Sequence, residues 1–152
     1  MGIKANFNID DLFKEVTKNV EILMLGVIEA MNKTCLEVTA AAKQLDTYKD
    51  QTNNLRSSIG FVVYNQGKKV TEHFTKVGAG IDGNGSSGMS KGIEVANEAA
   101  KARPDKIVGV VVAGEDYALY VESQGLDVIT GPCSQLKEVF ESNLKIVLQN
   151  MS

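Results

Sequence analysis

The sequence predicts an α+β fold: a long N-terminal helix, a mixed or antiparallel sheet of about four strands, and a middle and a C-terminal helix packed on that sheet, with the helices on one face. Three observations carry this. Residues 9–45 place apolar side chains at helical spacing: Ile9, Leu12, Phe13, Val16, Val20, Leu23, Val27, Met31, Cys35, Val38, Ala42 and Leu45. Two apolar runs, "LRSSIGFVVY" and "KIVGVVVAG", have the length and β-branched content of strands. Two further helical patterns follow the first strands, "SKGIEVANEAAKAR" and the stripe Leu136, Val139, Phe140, Leu144, Val147, Leu148.

Taken in order, Asn8 is suited to cap the first helix, with Asp10 and Asp11 favoured by the helix dipole in its first turn. The segment is one helix, or two broken near Gly26. As one helix it spans on the order of 50 Å, so it overhangs a small sheet or packs against a neighbouring subunit. "DTYKDQTNN" is a polar loop. In Leu55 to Tyr64, Leu55, Ser57, Ile59, Phe61 and Val63 share one face, and the intervening residues share the other. "NQGK" predicts a turn with Gly67 at positive φ, and the polar "KVTEHFTKV" an edge strand. The glycines and serines of residues 78–90 predict a flexible loop. Pro104 stops the middle helix. "KIVGVVVAG" reads as a central strand buried on both faces, and Leu126 to Ile129 as a short last strand. Pro132 opens the final helix.

The 152 residues suit one domain, 43% hydrophobic and 23% charged. The net charge of −3 lacks the basic bias that binding to nucleic-acid phosphates needs. No apolar run approaches a membrane span, and the N-terminus has no basic-then-apolar signal pattern. Gly2 does not mark a myristoylation site, because Asn6 stands where serine or threonine is required. Cys35 and Cys133 read as unpaired residues of a reducing compartment.

"GAGIDG", Gly78 to Gly83, matches the glycine spacing of dinucleotide-binding loops. Those loops follow a buried parallel strand and open directly into a helix, whereas a polar strand precedes this one. His73 is the only histidine and reads as an exposed strand residue without metal-ligand neighbours at useful spacing. Glu115, Asp116, Glu122 and Asp127 cluster after Val112. They could supply a carboxylate pair, but no nucleophile or oxyanion donor accompanies them, and a solvated structural turn is the preferred reading.

Two segments also carry a resemblance. "TNNLRSSIGFVVY", with Thr52, Leu55 and Ser58, precedes "VVVAGEDYALYVESQG", with Tyr117, Ala118, Tyr120, Val121, Glu122 and Gly125. In order and spacing the chain resembles the phage neck and tail-completion family, the gene-product-ten-like proteins of long-tailed phages. Asn53 stands where that family has glycine, Gln51 separates Asp50 from Thr52, and two residues separate Glu122 from Gly125. The resemblance implies a non-enzymatic structural protein of the virion neck or tail. It would reside in the host cytoplasm before assembly, use no cofactor, metal or catalytic residue, and join a ring with neck, adaptor or tail proteins. It also implies that Tyr117 and Tyr120 cover the sheet end, with Tyr120 buried, and that Glu122 pairs with Arg56 or accepts backbone N–H bonds. Two other readings remain: a small nucleotide-binding or hydrolytic domain using Gly78 to Gly83 and the acids after Val112, and a cellular oligomeric interaction domain.

Overall fold

The computed structural model describes Gly2, residues 8–78 and residues 83–152. Its elements are α1 (Ile9–Gln44), α2 (Asn54–Ser57), β1 (Ile59–Asn65), β2 (Lys68–Phe74), α3 (Ser86–Lys101), β3 (Ile107–Ala113), α4 (Ala118–Ser123), α5 (Thr130–Ser134) and α6 (Leu136–Met151). The fold is α+β, with a three-stranded antiparallel sheet in the order β2-β1-β3.

Helix α1 is a single helix. The Asn8 side chain accepts the Asp10 amide at 2.9 Å and so caps its start. The helix runs unbroken through Gly26, which lets α6 approach: a Cβ there would lie 2.6 Å from the Met151 sulfur. Burial begins at this point. From Ile9 to Leu25 the helix extends past the domain with its large apolar side chains half exposed, whereas Ile28, Ala30, Cys35, Val38 and Ala42 are buried.

Strand β1 is the core of the sheet. Phe61 and Val63 pack beneath Ile28, Met31 and Cys35 of α1. Val62 and Tyr64 face the opposite way, onto Ala96 and Ala100 of α3. Helices therefore cover both faces of the sheet and not one as expected, and the alternating positions of β1 are apolar on both sides for that reason. Helix α6 lies along α1. There the Asn143 side-chain amide donates to Thr34 Oγ1 at 3.1 Å and to Glu37 Oε1 at 3.2 Å. Leu136, at the start of α6, stands beside β3.

The hairpin between β1 and β2 turns on Gln66 and Gly67, both at positive φ (48° and 81°). That geometry matches the right-handed twist of the two strands.

Four expectations are corrected. "LRSSI" does not begin a strand: Asn54 to Ser57 form a helical turn, and β1 starts at Ile59. The run "IVGVVVA" is an edge strand, not the central one. It is apolar because α1 and α3 overlie its two faces, which does not require a strand on each side. Leu126 to Ile129 form no strand, because the amides of Val128 and Ile129 are taken by the Glu122 carboxylate. Of the predicted flexible loop, residues 79–82 lie outside the described residues, and Ser86 to Ser90 are the first turns of α3. The glycines there serve packing: a Cβ on Gly88 would lie 2.0 Å from the Asn54 carbonyl oxygen, and one on Gly92 would lie 2.3 Å from that of Ser58.

Candidate functional site

The two segments that carry the family resemblance meet at one end of the sheet. Asn53 adopts the left-handed conformation (φ 58°, ψ 9°) that opens α2, which a short polar side chain tolerates. Thr52 Oγ1 accepts the Asn54 amide at 3.3 Å. Leu55 is 2% exposed and packs with Ile59, Ala118 and Val128, and Val121 lies against that cluster. Ser58 ties the segments together. Its carbonyl accepts the Gly114 amide at 3.2 Å, and its hydroxyl accepts the Glu115 amide at 3.2 Å. Tyr117 meets the Thr52 side chain across a shallow groove that Val121 and Leu55 also line.

Arg56 and Glu122 do not pair with each other. Each closes a different piece of backbone. The Arg56 guanidinium donates to the Lys43 carbonyl at 2.8 Å and to the Tyr48 carbonyl at 3.3 Å, and it lies 5.0 Å from the Tyr48 ring centroid. It satisfies a carbonyl in the last turn of α1 that has no helical partner. The Arg56 amide donates to Asp50 Oδ2 at 2.7 Å.

Glu122 accepts the amides of Val128 (3.3 Å), Ile129 (2.9 Å) and Thr130 (3.0 Å) on Oε1, and the Thr130 hydroxyl (2.6 Å) on Oε2. Burial raises the pKa of this carboxyl, but the bonds from Thr130, Ile129 and Val128 outweigh burial and hold it below its ordinary value. Gly125, at φ 79°, reverses the chain after α4 so that the segment can wrap around the carboxylate. Asp127 Oδ1 then accepts the Gly131 amide at 3.0 Å, and the Asp127 carbonyl accepts the Thr47 hydroxyl. This arrangement is an anion-binding nest whose anion is the chain's own side chain.

Tyr120 corrects another expectation. It is 67% exposed and points away from the sheet, and Tyr117 is 41% exposed. Helix α4 has six residues, fewer than two turns, and its apolar contacts with the core are made by Ala118 and Val121. His73 is a strand residue as expected but half-buried and not exposed, because its ring stacks on Phe61 across the hairpin at 5.5 Å. Glu115 is buried and Asp116 exposed, and Lys91 bridges them at 3.4 and 2.5 Å. The acids after Val112 thus divide between a surface ion pair and a backbone clasp.

At the start of α3, Asn54 Oδ1 accepts the Gly88 amide and Asn84 Oδ1 accepts the Ser86 amide, so neutral side chains occupy donors that a phosphate would use. Cys35 is buried and Cys133 half-buried, both as free thiols. Burial, with a smaller effect of Cys133, pushes the Cys35 thiol up to about 12. Among the described residues, no three His, Cys, Asp or Glu side chains group as a metal-ligand set, and no helix is long and apolar enough to cross a membrane.

Of the two roles expected for Glu122, a pair with Arg56 or an acceptor of backbone N–H bonds, the structure has the second, with partners the sequence did not name; Thr130, Asn143 and Lys91 were missed altogether. Among the described residues, the longest run of exposed apolar side chains is in the amino-terminal half of α1. Ile9, Phe13, Val16, Val20 and Leu23 form a seam at alternating four- and three-residue spacing, each about half exposed or more. No protein-family model, curated protein or solved structure matches the chain.

Proposed function

We propose that the chain is a non-enzymatic assembly component of a phage or prophage particle, placed at the head–tail junction or as a minor tail protein. One observation carries the reading: the overhanging half of α1 presents its heptad seam to solvent. Six large apolar side chains there (Ile9, Leu12, Phe13, Val16, Val20, Leu23) are each 49–66% exposed. That amounts to an apolar patch on the order of several hundred Å2, the size of the largest patch on a typical monomer, which is often functional. In the assembled ring, neck, adaptor or tail proteins cover this seam. Support also comes from the meeting of the two resemblance segments through Ser58, Leu55 and Ala118. It is a structural arrangement, with Glu122 and Arg56 committed to backbone groups.

The test is light scattering on the purified full chain, alone and mixed with neck, adaptor and tail proteins of a phage particle. A small species alone and a ring with partners supports the proposal. Nucleotide-dependent turnover, or binding to no virion protein, counts against it. Phe13→Asp with Leu23→Asp is expected to abolish the mixed complex while leaving the melting of the isolated chain within a few degrees of the parent. Both positions lie outside the packed domain, where substitutions change stability by only about 0.5 kcal/mol.

A further inference from the structure

We propose that the open edge of β3 pairs with β3 of a second copy, antiparallel, joining two three-stranded sheets into one. The inference needs only the fold and does not rest on the virion reading.

The two edges of the sheet differ in kind. The β2 edge carries Lys68, Lys69 and Glu72, and a register shift lies opposite it between Val63 and Tyr64. Charge and irregularity are the usual protections of an exposed edge. The β3 edge has neither. Its sequence is Ile-Val-Gly-Val-Val-Val-Ala, without a charge, a proline or a bulge, and its register with β1 is regular throughout. No strand among the described residues pairs with its outer side.

The backbone on that side is free. Gly114 donates to the Ser58 carbonyl, and Gln66 donates to the Lys106 carbonyl. Even-numbered residues of β3 therefore bond to β1, and by the alternation of an antiparallel ladder Ile107, Gly109, Val111 and Ala113 direct their amides and carbonyls outward. Outside them runs an open groove of about 700 Å3, flanked by Met31 and Leu136 on one side and by Ala99, Ala102 and Arg103 on the other. Two of these five flanking side chains are single methyl groups, which leaves room for a strand to approach.

The charges at the two ends of β3 select the occupant. The start of the strand is basic, with Lys101, Arg103 and Lys106 against Asp105. The far end is acidic, with Glu115 and Asp116 against Lys91. A second copy running antiparallel sets the basic end of each strand beside the acidic end of the other, whereas a parallel copy would set like beside like. Centring the pair on Val110 places Gly109 opposite Val111 of the second copy and Ile107 opposite Ala113. All four residues direct outward amides, so each pair exchanges two hydrogen bonds. The contact is isologous, and it yields a closed dimer rather than a fibre.

Sedimentation of the full chain over a range of concentrations, with amide hydrogen exchange on the same samples, tests this. A dimer of the 16.4 kDa chain is expected. Within it the amides of Gly109 and Val111 exchange at least about tenfold more slowly than in dilute, dissociated protein. Lys106→Glu is expected to weaken the dimer, and adding Asp116→Lys to restore it. Should Lys106→Glu disturb the fold, the exchange measurement on the unaltered chain decides alone. A monomer at every concentration overturns the proposal. So does a dimer in which the Gly109 and Val111 amides exchange freely, since its contact then lies elsewhere, as on the α1 seam.

Discussion

Replacing Glu122 with alanine removes one carboxylate and leaves three amides and one hydroxyl without their acceptor. Hydrogen bonds to a charged group contribute about 1.5–3 kcal/mol each when buried. Thr130 is exposed, so water replaces its two bonds at little cost. Val128 is fully buried and Ile129 half-buried, so their amides carry most of the penalty. The net loss is about 1–3 kcal/mol, which for a domain of this size lowers Tm by roughly 3–10 °C. Glu122→Gln keeps an oxygen for the three amides and loses the charge, so it costs less than alanine. The pH dependence has a definite sign. The folded carboxyl has a pKa below its ordinary value, so its charge-dependent contribution is present above the ordinary carboxylate range and is lost as pH falls through the lower, folded value. Urea unfolding of the three proteins at neutral pH and at successively lower pH reads both effects. The gap between parent and Glu122→Gln is expected to close on acidification. Equal unfolding midpoints for parent and Glu122→Ala at neutral pH would refute the clasp, and a parent–glutamine gap that survives acid would refute the role of charge.

Three other outcomes are expected. Arg56→Ala uncovers the Lys43 carbonyl and removes the guanidinium from Tyr48, lowering stability by about 1–3 kcal/mol in a thermal melt. Gly88→Ala forces a methyl group against the Asn54 backbone, which has no flexible end to move, and is expected to cost about 2 kcal/mol or more by the same assay. An aromatic disulfide reagent near pH 8 is expected to modify Cys133 slowly in the native protein, since half-burial and the Glu122 and Asp127 carboxylates raise its pKa, and Cys35 only after unfolding, because burial keeps it protonated and covered.

Local and periodic features were legible in the sequence. Asn8 and the long stripe behind it announce α1, since a cap and a 3.6-residue period need no tertiary information. The turn at Gly67 is legible for the same reason. Composition misled where packing decides. A run of glycine and serine looks alike whether it is loose or pressed against another backbone, and Gly88 and Gly92 are of the second kind. The apolar run of β3 reports covering on two faces, and an edge strand between two helices satisfies that as well as a central one. At the candidate site, the Thr52–Ser58 and Tyr117–Gly125 segments were singled out only through the resemblance, and the left-handed conformation of Asn53 was legible from its residue type. The destinations of the Glu122 and Arg56 side chains were not legible, because their acceptors and donors are backbone groups, which every residue possesses alike. The exposure of Tyr120 follows from the shortness of α4, whose six residues turn only Ala118 and Val121 toward the core.

The continuity of α1 has a mechanical consequence. A hydrogen-bonded helix of 36 residues is a stiff rod, and this one is gripped only along its second half. Its free arm begins at Gly26, where Met151 of α6 bears on it like a fulcrum. At the opposite extremity the Lys43 ammonium grasps the Thr75 carbonyl at 2.7 Å and hydroxyl at 2.9 Å, and the Arg56 guanidinium holds the Lys43 carbonyl. A sideways load applied near Phe13 is therefore transmitted as torque across the whole molecule. The far end of that lever, about 45 Å from Phe13, is tied to the chain just beyond β2 and to the turn of α2.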